Sequence, residues 1–205
     1  MKTEVFTLND EPINIPVPES YKDCLLLIKS DDFRLSGKMR SSFAILIKCI
    51  WSFNSSVLFW FRLSQYKGYF FRLCRYMYER VSRKFLIQIP ISTKIGYGLY
   101  IGHGIGMVVN GGTVIGNNVN LSQFLNIGTN HETPAIVGDN VYIGPHVCVV
   151  EDVKIGCNST IGAGAVITRD VPKNATVAGV PAKVLNYNNP GRYIGNPFLF
   201  YEKSL

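Results

Sequence analysis

The sequence predicts a mainly β protein whose second half is a solenoid of short parallel strands, preceded by an α-helical region. Three observations carry this. An apolar residue recurs at every sixth position over long runs between Ile89 and Ile167, glycine follows many of these anchors, and the chain before Arg83 shows no such period.

Ile89, Ile95 and Ile101 form one run, and Val109, Ile115, Leu121 and Ile127 a second. Val137, Ile143, Val149, Ile155, Ile161 and Ile167 form the third. Gly96, Gly102, Gly116, Gly128, Gly138, Gly144, Gly156 and Gly162 come directly after anchors, and two positions before an anchor the residue is often small or β-branched. A helix needs a period of about 3.6, and no such phase survives here. Self-similarity at a short fixed period marks a solenoid, in which each coil buries its apolar face only by stacking on the next.

The first half reads as helical. Segment 21–30 is a short apolar helix candidate, 41–64 is strongly apolar and aromatic, and 66–84 alternates aromatics with arginines. A membrane span needs about 20 nearly uncharged residues, and Lys48, Asn54 and Arg62 interrupt 41–64. Two readings remain for it. One is an amphipathic helix lying on a bilayer with Trp51, Phe53, Phe59, Trp60 and Phe61 inserted. The other, which the burial habit of large aromatics favours, is packing between helices and against a neighbouring subunit. The chain thus divides into a helical, basic and aromatic region (1–86), the β-helix (87–184) and a tail without repeat grammar (185–205).

Composition narrows the class. With 47% hydrophobic and 17% charged residues, the chain carries enough apolar surface for a core, which excludes a disordered protein. Its five cysteines are widely spaced without a C-x-x-C pair, as expected for reduced thiols of a cytoplasmic protein. The first residues, Met-Lys-Thr-Glu-Val-Phe, lack the pattern of a secretory leader. The net charge of +7 is concentrated between Lys29 and Lys84, where twelve Lys and Arg face three acidic residues. Such a surplus points to an anionic partner: a membrane surface, here the inner face, a polyanionic glycan or a phosphorylated ligand. No nucleic-acid-binding signature accompanies the charge, so nucleic acid is not expected.

The stretch KIGYGLYIGHGIGMVVNGGTVIGNNVNLSQFLNIGTNH, with IGAGAVITRDVPKNATVAGVPAKVL later, resembles the hexapeptide-repeat acyltransferases. Within them it is similar to the serine acetyltransferase branch, which includes acetyltransferases of capsule and exopolysaccharide synthesis. The likeness covers about residues 87–184, and AGVPAK (Ala178 to Lys183) is especially typical. It implies a left-handed β-helix, an exception to the usual right-handed crossover. It also implies homotrimers, with a dimer of trimers as a further level, and acetyl-CoA as co-substrate without a metal.

The register breaks twice. Ile101 to Val109 is a step of eight residues and Ile127 to Val137 a step of ten, so two and four residues are extra. Insertions at solenoid corners commonly carry function. Of the three histidines, His103 and His131 lie in these insertions, while His146 sits in a regular repeat and reads as structural. Acetyl transfer from a thioester to a hydroxyl needs a base, and imidazole suits that task. The resemblance makes His103 the catalytic histidine and His131 a second active-site histidine that contacts substrate. It also offers Gly144, Ala163 and Gly164 for the pantetheine arm, and Thr168, Arg169 and Lys183 for the nucleotide phosphates.

Two departures bear on the acceptor. The serine enzymes carry an aspartate directly before the catalytic histidine, and here Gly102 stands there. A second aspartate, fifteen positions upstream, corresponds to Gln88, whose amide oxygen could still orient an imidazole. Without these carboxylates a neutral hydroxyl fits better than an amino acid, so the expectation is O-acetylation of a saccharide in capsule or surface-polysaccharide synthesis. The alternative is a serine O-acetyltransferase of cysteine biosynthesis. A carbonic-anhydrase-like zinc protein needs three histidines at fixed spacing, and positions 103, 131 and 146 lack the H-x4-H pair.

Overall fold

The computed structural model describes residues 1–130, 133–150 and 152–200. Its first element is one that the helical reading missed. Strands β1 (Lys2–Leu8) and β2 (Glu11–Val17) form an antiparallel hairpin. Its two-residue turn, Asn9–Asp10, has φ of 49° and 66°. Both values are positive, which suits the natural twist of a hairpin, and Asn and Asp tolerate them best. The inner face, Leu8, Ile13 and Ile15, packs on Val114 with Ile136 and Cys157 beside it.

Helix α1 runs over Tyr21–Ser36, further than the apolar stretch 21–30 implies. Ser20 caps it by accepting from the Asp23 amide, and Gly37 at φ 65° closes it. Segment 41–64 is two helices, α2 (Ser42–Trp51) and α3 (Phe53–Ser64), with Ser52 extended between them. Helix α4 spans Phe71–Lys84. Phe59 and Phe61 are buried and Trp60 packs on the core, which corrects the picture of these aromatics inserting into a bilayer. Trp51 is 87% exposed, and the side chain of Phe53 lies outside the described residues. Among the described residues no helix is long and apolar enough to cross a membrane.

The repeat folds as a parallel β-solenoid of four three-stranded coils. The first holds β3 (Lys94–Ile95), β4 (Tyr100–Gly102) and β5 (Val108–Val109), and the second β6 (Val114–Ile115), β7 (Asn120–Ser122) and β8 (Asn126–Ile127). The third holds β9 (Ile136–Val137), β10 (Tyr142–Ile143) and β11 (Cys148–Val149), and the fourth β12 (Lys154–Ile155), β13 (Thr160–Ile161) and β14 (Val166–Ile167). Strands stack into three flat faces. Face I is β3-β6-β9-β12, face III is β5-β8-β11-β14, and face II is β4-β7-β10-β13 continued by β15 (Thr176–Ala178) and the antiparallel β16 (Lys183–Asn186). Every anchor of the six-residue pattern is buried, from Ile89 at 4% exposure to Ile167 at 1%. The residues two before them, such as Leu99, Val119, Val141 and Ala165, are buried too, so each short strand sends a pair inward.

Corners between faces I and II turn through the left-handed backbone region at Gly98, Asn118, Asn140, Asn158 and Asn174. Asn140 donates to Asn158 and Asn158 to Asn174, each at 3.2 Å, which makes a ladder along the edge. The tail then runs back along this edge. Gly191 donates to the Asn158 carbonyl, Asn120 donates to the Tyr193 carbonyl, and Phe198 exchanges two bonds with Asn118. Phe198 finally packs edge-on against Phe33 of α1 and Tyr97 of the first coil.

Candidate active site

The ladder register shows which residues are extra in the eight-residue step. Phe124 donates to the Ile105 carbonyl, His146 to that of Gln123 and Gly164 to that of Pro145. Gly102 pairs with Ser122. The residues between these matched positions, His103 and Gly104, therefore bulge from the corner between faces II and III. His103 itself is left-handed at φ 50° and exposed. Non-glycine residues in that region cluster at functional sites because surrounding structure has to hold them there.

His103 lines a cavity of about 500 Å³ with Tyr100 and Gly102 of its own coil and Ser122, Gln123 and Tyr142 of the next two coils. Arg34 of α1 and Tyr193 and Gly195 of the tail complete its wall. These last three lie outside the repeat, where periodicity has nothing to say about them. Arg34 is 3% exposed and donates to the Gly98 carbonyl (3.0 Å), the Gly195 carbonyl (2.9 Å) and Asn120 Oδ1 (2.6 Å). Burial pulls its guanidinium down to about 10, against the pull of Asp31 in the other direction. It stays a cation at neutral pH.

Behind it, Asp31 takes a forked pair of bonds from Arg62 (2.8 and 3.1 Å) and one from the Leu99 amide (2.7 Å). Arg62 also donates to the carbonyls of Ile95 and Gly96. The network pins the first coil to α1 and α3, which fixes the floor of the cavity.

Of the described residues assigned to catalysis, His103 stands in this cavity and Gln88 does not. Gln88 is bridged to Val108 through its backbone, and its exposed side chain borders a separate hollow with Arg75, Tyr78 and Glu79. No hydrogen bond joins Gln88 to His103. His131 lies outside the described residues. The His146 ring stacks on Phe124, with centroids 4.7 Å apart.

The residues assigned to acetyl-CoA fall in two groups. Gly144, Ala163 and Gly164 share the corner of the third and fourth coils, so close that a Cβ on Gly144 would lie 2.9 Å from the Ala163 nitrogen. The amides of Gly144 and Gly164 already donate within the ladder, to Ile161 and Pro145, so neither is free for a pantetheine arm. Thr168 and Arg169 follow β14 and are exposed, as is Lys183 at the start of β16. The neighbouring Ala182 amide bonds the Val166 carbonyl, which brings Lys183 to the same end of the solenoid. Among the described residues no group of three His, Cys, Asp or Glu is placed to hold a metal ion.

The stacked coils of six-residue repeats and the histidine-bearing corner are similar to those of hexapeptide-repeat proteins of the serine acetyltransferase-like kind. The family described as bacterial transferase hexapeptide (six repeats) matches residues 134–169. Serine acetyltransferase 4 of Arabidopsis thaliana is 34% identical over 113 residues, covering 53% of this chain and 32% of that protein. The serine acetyltransferase of Staphylococcus epidermidis strain ATCC 12228 is 35% identical over 127 residues, covering 60% and 59%. The chain thus spans between about a third and three-fifths of these relatives' own length.

Among solved structures, the serine acetyltransferase of Brucella abortus shares the fold at a TM-score of 0.65 and 22% identity, over 83% of this chain and 70% of that one. The Neisseria gonorrhoeae serine acetyltransferase in complex with serine matches at 0.59 and 26%, over 80% and 69%.

These likenesses overturn the expectation of a saccharide acceptor in polysaccharide synthesis, because these two relatives, each matching over more than half of the chain, are named for serine. The physical reason lies in what the missing carboxylates were asked to decide. Gln88 borders a different hollow from His103, and Gly102 supplies only a backbone. The charged group in the cavity, Arg34, comes from a helix outside the repeat.

Proposed function

We propose that the protein transfers the acetyl group of acetyl-CoA to the hydroxyl of L-serine, with His103 as general base. The observation that carries this is a histidine bulged from the solenoid corner into a cavity, in a chain whose relatives are serine acetyltransferases. The His103 imidazole takes the hydroxyl proton as the oxygen attacks the thioester carbonyl. Collapse of the tetrahedral adduct breaks the C–S bond, and the imidazolium returns the proton to the CoA thiolate. The products are O-acetylserine and CoA. Removing a general base lowers turnover by about 10²- to 10⁴-fold. CoA release with L-serine is therefore expected from the purified protein and a loss of that order in His103→Ala. A variant that keeps most of the turnover sinks the mechanism.

Acetyl-CoA is proposed to lie along the edge from Gly144, Ala163 and Gly164 to Thr168, Arg169 and Lys183, with the Ala163 amide and the basic side chains as donors. The homotrimer belongs to the same reading. The corner between β4 and β5, which carries His103, and the corner between β8 and β9 lie on different edges of the prism, so a neighbouring subunit is what would bring the two edges together. The native mass tests it: three chains are expected, and one chain would remove the shared site. A peripheral contact with an anionic bilayer is proposed for α2, whose Phe43, Leu46, Ile47, Ile50 and Trp51 are exposed within the basic region. Co-sedimentation with anionic vesicles, lost in Trp51→Glu, is the expected result.

A further inference from the structure

Among the described residues, Arg34 is a buried cation without a carboxylate of its own. Both oxygens of Asp31 are held by Arg62, and Asp32 is taken by Arg40 and Lys48. Among the described residues Arg34 makes no salt bridge, and its three acceptors are neutral. Buried charges are almost always paired. A guanidinium carries five N–H groups, and those bonds use only three of them. Nε, one N–H of Nη1 and one of Nη2 are fixed, so the fork cannot swing, and it borders the cavity that holds His103.

We infer that Arg34 anchors a carboxylate on the acceptor, so that the acceptor's hydroxyl is presented to His103. This rests on the acetyl-transfer reading of that histidine. The planar fork matches a carboxylate with two parallel bonds. Three clamps around the guanidinium hold it in place before the ligand arrives, so the ordering cost on binding is small. The same chemistry would suit a phosphate of CoA, and the two sources separate by which Michaelis constant changes.

The test is CoA release from acetyl-CoA with acceptors in matched pairs, L-serine against L-serinamide and glycerate against glycerol, in the wild type, Arg34→Gln and Arg34→Lys. The wild type is expected to prefer the carboxylate member by about tenfold to a hundredfold, the size of a charge-assisted hydrogen bond. In Arg34→Gln that preference should fall to about one through the acceptor KM, with the KM for acetyl-CoA unchanged. Arg34→Lys keeps the charge without the fork and should retain part of it, which guards against a glutamine variant that does not fold. Equal losses for both members of a pair would reduce Arg34 to a clamp on the tail. A raised KM for acetyl-CoA alone would hand its anion to the cofactor. Either result overturns the inference, as does a wild type indifferent to the carboxylate. Turnover of glycerate without serine would remove the serine reading and leave Arg34 standing.

Discussion

Asn118, Asn140, Asn158 and Asn174 hold one geometric place, three residues past the anchors Ile115, Val137 and Ile155 and past Val171, which bridges Ile155. Left-handed backbone penalises most side chains, and asparagine bears it best after glycine. Here asparagine adds what glycine cannot, an amide that bonds the next coil. Asn158→Ala keeps the strain and loses two ladder bonds, so it is expected to destabilise by about 2–3 kcal/mol. Asn158→Gly relieves the strain and should cost about half as much; thermal unfolding of the two variants measures the difference. At this scale the sequence was unevenly informative. His103 could be found because an insertion in a regular pattern has an address. Arg34, Tyr193 and Gly195 could not, since α1 and the tail carry no period that says what they face.

Helices α1 and α3 meet the first coil through Asp31 and Arg62, both essentially solvent-free at 1% and 0% side-chain exposure. Breaking one side of such a pair leaves an uncompensated buried charge, which costs about 3–5 kcal/mol. Arg62→Met alone is therefore expected to unfold more readily than the double variant with Asp31→Leu, where both charges go. Denaturant midpoints of the two singles and the double decide it, and equal losses in single and double would show that the hydrogen bonds matter more than the charge. The buried anchors of the β-helix were readable from their six-residue period as far as Ile167. The split of 41–64 at Ser52 was not, because both helices are apolar and aromatic and no glycine or proline separates them. The hairpin was hidden by charge at Lys2, Glu4 and Glu11, although Asn9–Asp10 between alternating strands is a turn signal with a mechanism.

Across the molecule, the tail ties elements that the chain order keeps apart. It leaves the last coil at β16, bonds the fourth coil at Asn158, the second at Asn120 and Asn118, and Arg34 of α1 at Gly195. A stack of repeats whose contacts are only between neighbours frays from its ends, because each coil is held by the one beside it. The returning tail gives the terminal coil a second attachment, two layers away. Loss of the end coil then releases the start as well, so the array behaves as a closed circuit and not as an open row. Hydrogen exchange should accordingly show the fourth coil as well protected as the second, and a chain ended at residue 187 should exchange progressively from β14 backward.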